Sequence, residues 1–241
     1  MANKRLINII DKLEEHFESE LPKKNSSPKI LDILIATKLS QNTTDKTSYK
    51  AFRNLKANFR TWDELIDAPI KGVKDSIRVC GLANTKARQI KLMLKNMKKN
   101  YGSLDLSFLR KMDNDKIYDE LLQYEGLGVK TVSCVLVFSL ERDVFPVDTH
   151  VHRVLNRLGI VETKTAEQTF EKASKIIPEG KKCSFHTNLI KFGRNICKAS
   201  KPLCYLCFLY RHCRFNEKSF YKEQKTSSEK KANNFIILEN V

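Results

Sequence analysis

The chain has 241 residues, with 44 Lys and Arg against 28 Asp and Glu, for a formal charge of +16. That length buries either one large core or two small ones, and the basic excess predicts a polyanionic partner. Nucleic acid is favoured over membrane, because the longest apolar runs, ILDILIATKL and TVSCVLVFSL, are about half of a bilayer span and no predicted helix opposes a basic face to a Trp/Phe/Leu face.

In chain order, MANKRLINIIDKLEEHF lacks the uncharged apolar core and small-residue cleavage site of a signal peptide. Its Leu6, Ile9, Ile10, Leu13 and Phe17 follow helical spacing and predict an amphipathic helix. An intracellular location, cytoplasmic or nucleoid-associated, is therefore expected, and with it reduced thiols. Ile30 to Leu39 is apolar on most sides and predicts a buried helix. Ile90, Met93, Leu94 and Met97 share one helical face, as do Val151, Val154, Leu155 and Leu158. Alternating strands with hairpin turns are missing, so the expected fold class is all-α, with about ten short helices. Asn216 to Asn233 is polar and reads as a mobile tail, while Phe235-Ile236-Ile237-Leu238 either docks on the body or serves as a partner tag.

Three segments carry chemistry. The first is Leu121-Leu122-Gln123-Tyr124-Glu125-Gly126-Leu127-Gly128-Val129-Lys130-Thr131, between two predicted helices. Ile117, Leu121 and Leu122 pack before the turn; Val132, Val135, Leu136 and Leu140 pack after it. Two glycines two apart permit a tight turn with converging N–H groups and a helix N-terminus behind them, an arrangement suited to a phosphate oxygen. An ordinary glycine-capped helix junction has the same pattern. Lys130, in the first turn of the second helix, meets the positive end of the dipole, which lowers an amine's pKa and favours nucleophilicity. A phosphate-binding or solvated lysine would occupy the same place.

The second segment is Phe145-Pro146-Val147-Asp148-Thr149-His150-Val151, opening another helix. Asp148 or Thr149 serves as its N-cap, and capping alone accounts for the aspartate. A carboxylate there could also take a proton or stabilise charge on a sugar. The third is Cys197-x6-Cys204-x2-Cys207-x5-Cys213, whose clustering in a reducing compartment predicts a metal site rather than disulfides. Cys80, Cys134 and Cys183 read as buried small apolar residues.

The ordered combination of GLGxKT, VDTH and the four cysteines resembles the endonuclease III family, the iron–sulfur branch of the helix-hairpin-helix DNA glycosylases. The resemblance runs from about Ile30 to Cys213 and extends to Leu39-Ser40 with Thr44-Asp45, to Cys80 through Ala87, and to Phe192-Gly193-Arg194. It implies a helical barrel over 31–142 carrying the hairpin, a second helical domain from 1–30 with 143–215 bearing the cluster, and a tail over 216–241. The active site would lie in the cleft between the domains. It further implies Lys130 as nucleophile, Asp148 as catalytic carboxylate and a [4Fe–4S] cluster on Cys197, Cys204, Cys207 and Cys213. Gly126, Leu127, Gly128 and His150 would contact DNA, with Leu82 and Asn42 entering the duplex. The implied activity is that of a glycosylase and abasic-site lyase, acting as a monomer on oxidised pyrimidines in double-stranded DNA.

Mismatched thymine or uracil, alkylated bases and modified cytosines are alternative substrates on the same motifs, and a non-catalytic DNA-binding protein is the alternative class. Zinc is the alternative metal. The sequence departs from the family in two places: Glu125 stands where a proline usually precedes the first hairpin glycine, and Asn42 stands where glutamine usually fills the gap, with Gln41 one residue earlier.

Overall fold

The computed structural model describes residues 4–17 and 29–224. Among them the fold is all-α, with twelve α-helices rather than about ten, four short 3-10 helices and no strand. The helices are α1 (Lys4–Phe17), α2 (Ile30–Ser40), α3 (Asp45–Asn58), α4 (Trp62–Asp67), α5 (Ile70–Ser76), α6 (Ala83–Tyr101), α7 (Asn114–Leu122), α8 (Val129–Phe138), α9 (Thr149–Leu158), α10 (Ala166–Ile176), α11 (Lys182–Asn195) and α12 (Lys218–Glu223). They fall into two compact units: α2 to α8 form one, ending at Arg142, and α1 joins α9 to α12 in the other, which resumes at Asp143.

In the first unit α2 is the central element. Residues Ile30 to Leu39 are all buried, as an all-round apolar helix must be, and α3, α6 and α8 pack on it. Its buried Asp32 accepts the Trp62 indole N–H at 2.8 Å and pairs with Lys56 at 3.3 Å. The α8 face of Val132, Val135, Leu136 and the following Leu140 is buried as the periodicity requires. Leu122 is not; it is 38 % exposed, because it sits one residue round the helix from the buried Leu121 and consecutive residues point about 100° apart.

In the second unit α1 packs on α11 and α11 on α9. Leu6, Ile9, Ile10 and Leu13 of α1 are buried, and Glu14 accepts from Ser184 at 2.8 Å and from Lys181 at 2.7 Å. Cys80 and Cys134 are buried, whereas Cys183 is only half-buried, since it lies in the first turn of α11, where the helix enters from solvent. The helix α12 occupies the start of the segment read as a tail, and Lys218 ties it back by donating to the Cys213 carbonyl at 2.6 Å. Residues 225–241, including the Phe235–Leu238 segment, lie outside the described residues.

Candidate active site and DNA-facing turns

The hairpin joins α7 to α8. Tyr124 and Leu127 are buried and anchor its two arms, and the Leu127 amide donates to the Tyr124 carbonyl at 3.0 Å. Gly126 takes φ +80°, a left-handed conformation that favours glycine. The space beside it is occupied: a Cβ there would lie 1.9 Å from Nζ of Lys38. Lys38 reaches over from α2, buried to 2 % exposure, and donates to the Gly126 carbonyl at 3.0 Å. Gly128 caps α8 with nothing within 4 Å of a Cβ position, so its backbone is open to a ligand. Leu127 offers only backbone to such a ligand, because its side chain is turned into the core. Lys130 is half-buried in the first turn of α8. Glu125 is exposed and accepts from Gln89 at 3.3 Å, which holds the carboxylate sideways along α6.

Two further turns in the same unit carry the residues expected to enter DNA. Asn42 follows the end of α2 with φ 52°, and Leu82 precedes α6 with φ 49°. Both are exposed, Leu82 at 60 %. A non-glycine residue in the left-handed region costs on the order of 1 kcal/mol or more, and such strain concentrates at functional turns. An exposed leucine held there gains nothing from the core.

In the other unit, the entry to α9 is fixed from both sides. Phe145 is fully buried and stacks on Phe185 with centroids 5.8 Å apart, and His186 Nδ1 is 2.8 Å from the Pro146 carbonyl. Asp148 is then the N-cap, with Oδ1 accepting the Val151 amide at 2.8 Å. His150 is half-buried, and burial lowers its pKa from the usual histidine value; Asp148 opposes that shift and Arg153 adds to it. Arg153 lies 3.1 Å from His150 Nδ1 and donates to the carbonyls of Gly193 at 2.8 Å and Cys197 at 3.0 Å. One turn on, Arg157 donates to the carbonyls of Lys198 at 2.6 Å and Ala199 at 3.0 Å, and its guanidinium lies 4.3 Å from the Phe215 ring centroid.

Cys197, Cys204, Cys207 and Cys213 line one cavity with Arg157, Tyr210 and Lys218 among its walls. Burial raises the thiol pKa values of Cys204 and Cys213, and pushes Cys207 up to about 12, with neighbouring thiols adding to each. Four half-buried thiols lining one space are a ligand set whose protons a bound cation displaces. Among the described residues no three of His, Cys, Asp and Glu converge as ligands of a single ion. Lys198, Lys201, Arg211 and Arg214 are exposed around this loop.

Four residues near these features are invisible to local pattern: Lys38, Lys86, Arg153 and Arg157. Each charged head group binds carbonyls far away in sequence. The sole sequence hint is a lysine inside an apolar helix, as at Lys38.

The sequence matches the HhH-GPD superfamily base excision DNA repair protein family over residues 35–179. It is 34% identical over 222 residues to endonuclease III of Thermotoga maritima, covering 92% of this chain and 100% of that protein. It is 36% identical over 185 residues to endonuclease III of Sulfolobus acidocaldarius, covering 76% and 80% of the two chains. Its fold is similar to a trapped endonuclease III–DNA covalent intermediate, with TM-score 0.77, 30% identity and coverage of 91% of this chain and 100% of that one.

Proposed function

The chain belongs to the endonuclease III family of the HhH-GPD superfamily of base excision DNA repair proteins, and from that membership we propose that it excises oxidised pyrimidines and cleaves the abasic strand through Lys130. The observation that carries this reading is Lys130 itself, half-buried two residues after an open Gly128 backbone at the head of α8.

A base within a duplex is out of reach of a lysine, so the nucleotide must leave the stack. Damaged pyrimidines have lost stacking or pairing and cost the least to extrude. Leu82 acts as the apolar wedge and Asn42 as the polar filler of the emptied stack, both already held in strained, exposed turns. The hairpin amides of Gly126 and Gly128 hold a phosphate, the Leu127 amide being taken by the Tyr124 carbonyl, and His150 contributes a further DNA contact.

Neutral Lys130 attacks the sugar C1′; the glycosidic bond breaks and its electron pair leaves with the base. Asp148 stabilises the positive charge developing on the sugar and moves the proton lost by the amine. The sugar ring then opens, the C1′–O4′ bond breaking with its electron pair and a proton going to O4′. In the iminium that results, the C2′ proton is acidic. Its removal expels the 3′ phosphate oxygen and leaves an unsaturated sugar on Lys130, which water releases.

Cys197, Cys204, Cys207 and Cys213 would hold a [4Fe–4S] cluster. Once bound, it braces the loop that carries Lys198, Lys201, Arg211 and Arg214 and supplies no step of the excision. An intracellular, nucleoid-associated location and a monomeric state belong to the same reading.

Borohydride trapping tests it. A covalent adduct is expected on a thymine glycol or dihydrouracil duplex with the wild type and not with Lys130→Gln. Failure to form the adduct, or its persistence in the variant, would sink the reading. A panel adding uracil, T·G, 8-oxoguanine and abasic duplexes fixes the base, and iron content with visible absorption identifies the metal.

A further inference from the structure

The turns bearing Leu82 and Asn42 meet at one buried side chain. Lys86 lies in the first turn of α6 with 3 % exposure. Its ammonium donates to the Leu39 carbonyl at 2.8 Å and the Cys80 carbonyl at 3.1 Å, with Cys80 Sγ at 3.7 Å. A lysine head group has three donors and no acceptor, so these three acceptors use its whole capacity. Leu39 stands three residues before Asn42, and Cys80 two before Leu82.

The need for such a group follows from the backbone. The end of α2 and the end of the 3-10 helix Arg78–Cys80 both leave carbonyls without helical partners. The left-handed residues that follow turn the chain outward, so water cannot satisfy carbonyls on the inner side. A cation at the C-terminal ends of two helical segments also complements their dipoles. Lys86 does both at once, and the Lys86 amide donates to the Leu82 carbonyl at 3.0 Å, locking the wedge to the same turn of α6.

We infer that Lys86 is a positioning residue for nucleotide extrusion: by gripping the Leu39 and Cys80 carbonyls with one ammonium, it fixes the spacing of Asn42 and Leu82 so that both enter the duplex together. This rests on the reading of Leu82 and Asn42 as the residues that enter DNA. Lys38, next to Leu39 in the last turn of α2, ties the Gly126 hairpin to the same helix end. Lys86 touches neither base nor sugar and leaves the chemistry of Lys130 alone.

The experiment compares a lesion duplex with a single-stranded abasic oligonucleotide, which has no stack to open. Lys86→Met keeps the stem and removes the head group. Its kcat/KM on the duplex is expected to fall about 10²-fold, the scale of a small misplacement remote from the chemistry, with a much smaller change on the single strand. Leu82→Ala should show the same duplex-selective loss, and the double variant should be little worse than either single one, because the two act as a unit.

Equal losses of Lys86→Met on both substrates, or losses that add to those of Leu82→Ala, overturn the inference. Leu82→Ala without duplex-selective loss overturns instead the wedge reading beneath it. The wild-type chain gives a measurement free of any folding defect. Reductive methylation should modify Lys86, together with the equally buried Lys38, last among the lysines, and modification of Lys86 at the rate of surface lysines overturns the assignment.

Discussion

Asp148 has two duties that a single atom separates. Its Oδ1 accepts the Val151 amide as the cap of α9, while its charge is what the sugar chemistry requires. Asparagine keeps the cap and loses the charge; alanine loses both. Asp148→Asn should therefore melt within a degree or two of the wild type, whereas Asp148→Ala should lose about 1 kcal/mol. Both should slow single-turnover excision by about 10²- to 10⁴-fold. Equal activity in the two proteins, together with the wild-type rate, would leave Asp148 as a cap alone. His150 carries the pH dependence at this end of α9. Burial lowers its folded pKa, so the unfolded chain binds the proton more readily. The sign follows: the contribution is fully present above the unfolded histidine value of about 6.5 and is lost as pH falls through the lower folded value. Thermal melts from pH 7.5 downward should show that decline in the wild type and a shallower one in His150→Gln.

At the scale of the element, the hairpin glycines divide labour in a way that stability and binding can resolve separately. Gly126 is left-handed with Lys38 against it, and an added Cβ both strains the backbone and displaces the ammonium from its carbonyl. Gly126→Ala should cost about 1 to 3 kcal/mol in urea melts. Gly128 has an ordinary backbone and open space, so Gly128→Ala should fold normally and weaken duplex binding, as a methyl group fends off the phosphate. The sequence makes the turn legible because glycine spacing and the apolar faces of α7 and α8 are local signals. The same holds for the buried run of α2, the cap at Asp148 and the four cysteines. What local pattern misses is the wiring. Lys38 lies in an apolar helix and Lys86 in a polar one, and the Gly126 and Leu39 carbonyls that hold them belong to turns distant in sequence. Gly81, at φ 67° beside Leu82, and the asparagine at 42 mark turns by residue type, but a leucine held left-handed at 82 is not announced by its type. Leu122 fails for the opposite reason: its type is apolar, but its phase on α7 faces out.

For the whole molecule, the question is how the formal charge of +16 is spent. Each phosphate that a basic side chain neutralises releases counterions, and log K falls with log salt at a slope of about −0.9 per contact on duplex DNA. At least eight of the 44 lysines and arginines are already engaged within the fold. Lys38 and Lys86 are buried on carbonyls, Arg153 and Arg157 are committed to the loop beyond α11, and Lys56, Lys71, Lys98 and Lys181 pair with acids. Lys198, Lys201, Arg211 and Arg214 are exposed around the cysteine loop. If that loop meets the backbone, binding of an undamaged duplex should respond to their removal in slope as well as in affinity. Lys198→Ala with Lys201→Ala should flatten the salt slope by about 2, one per lost contact, and weaken every sequence alike. A loop that only braces the fold would lower the melting temperature on substitution and leave the slope unchanged. Titrating both proteins across about 50 to 200 mM salt separates the two, because screening acts on phosphate contacts and not on a packed loop.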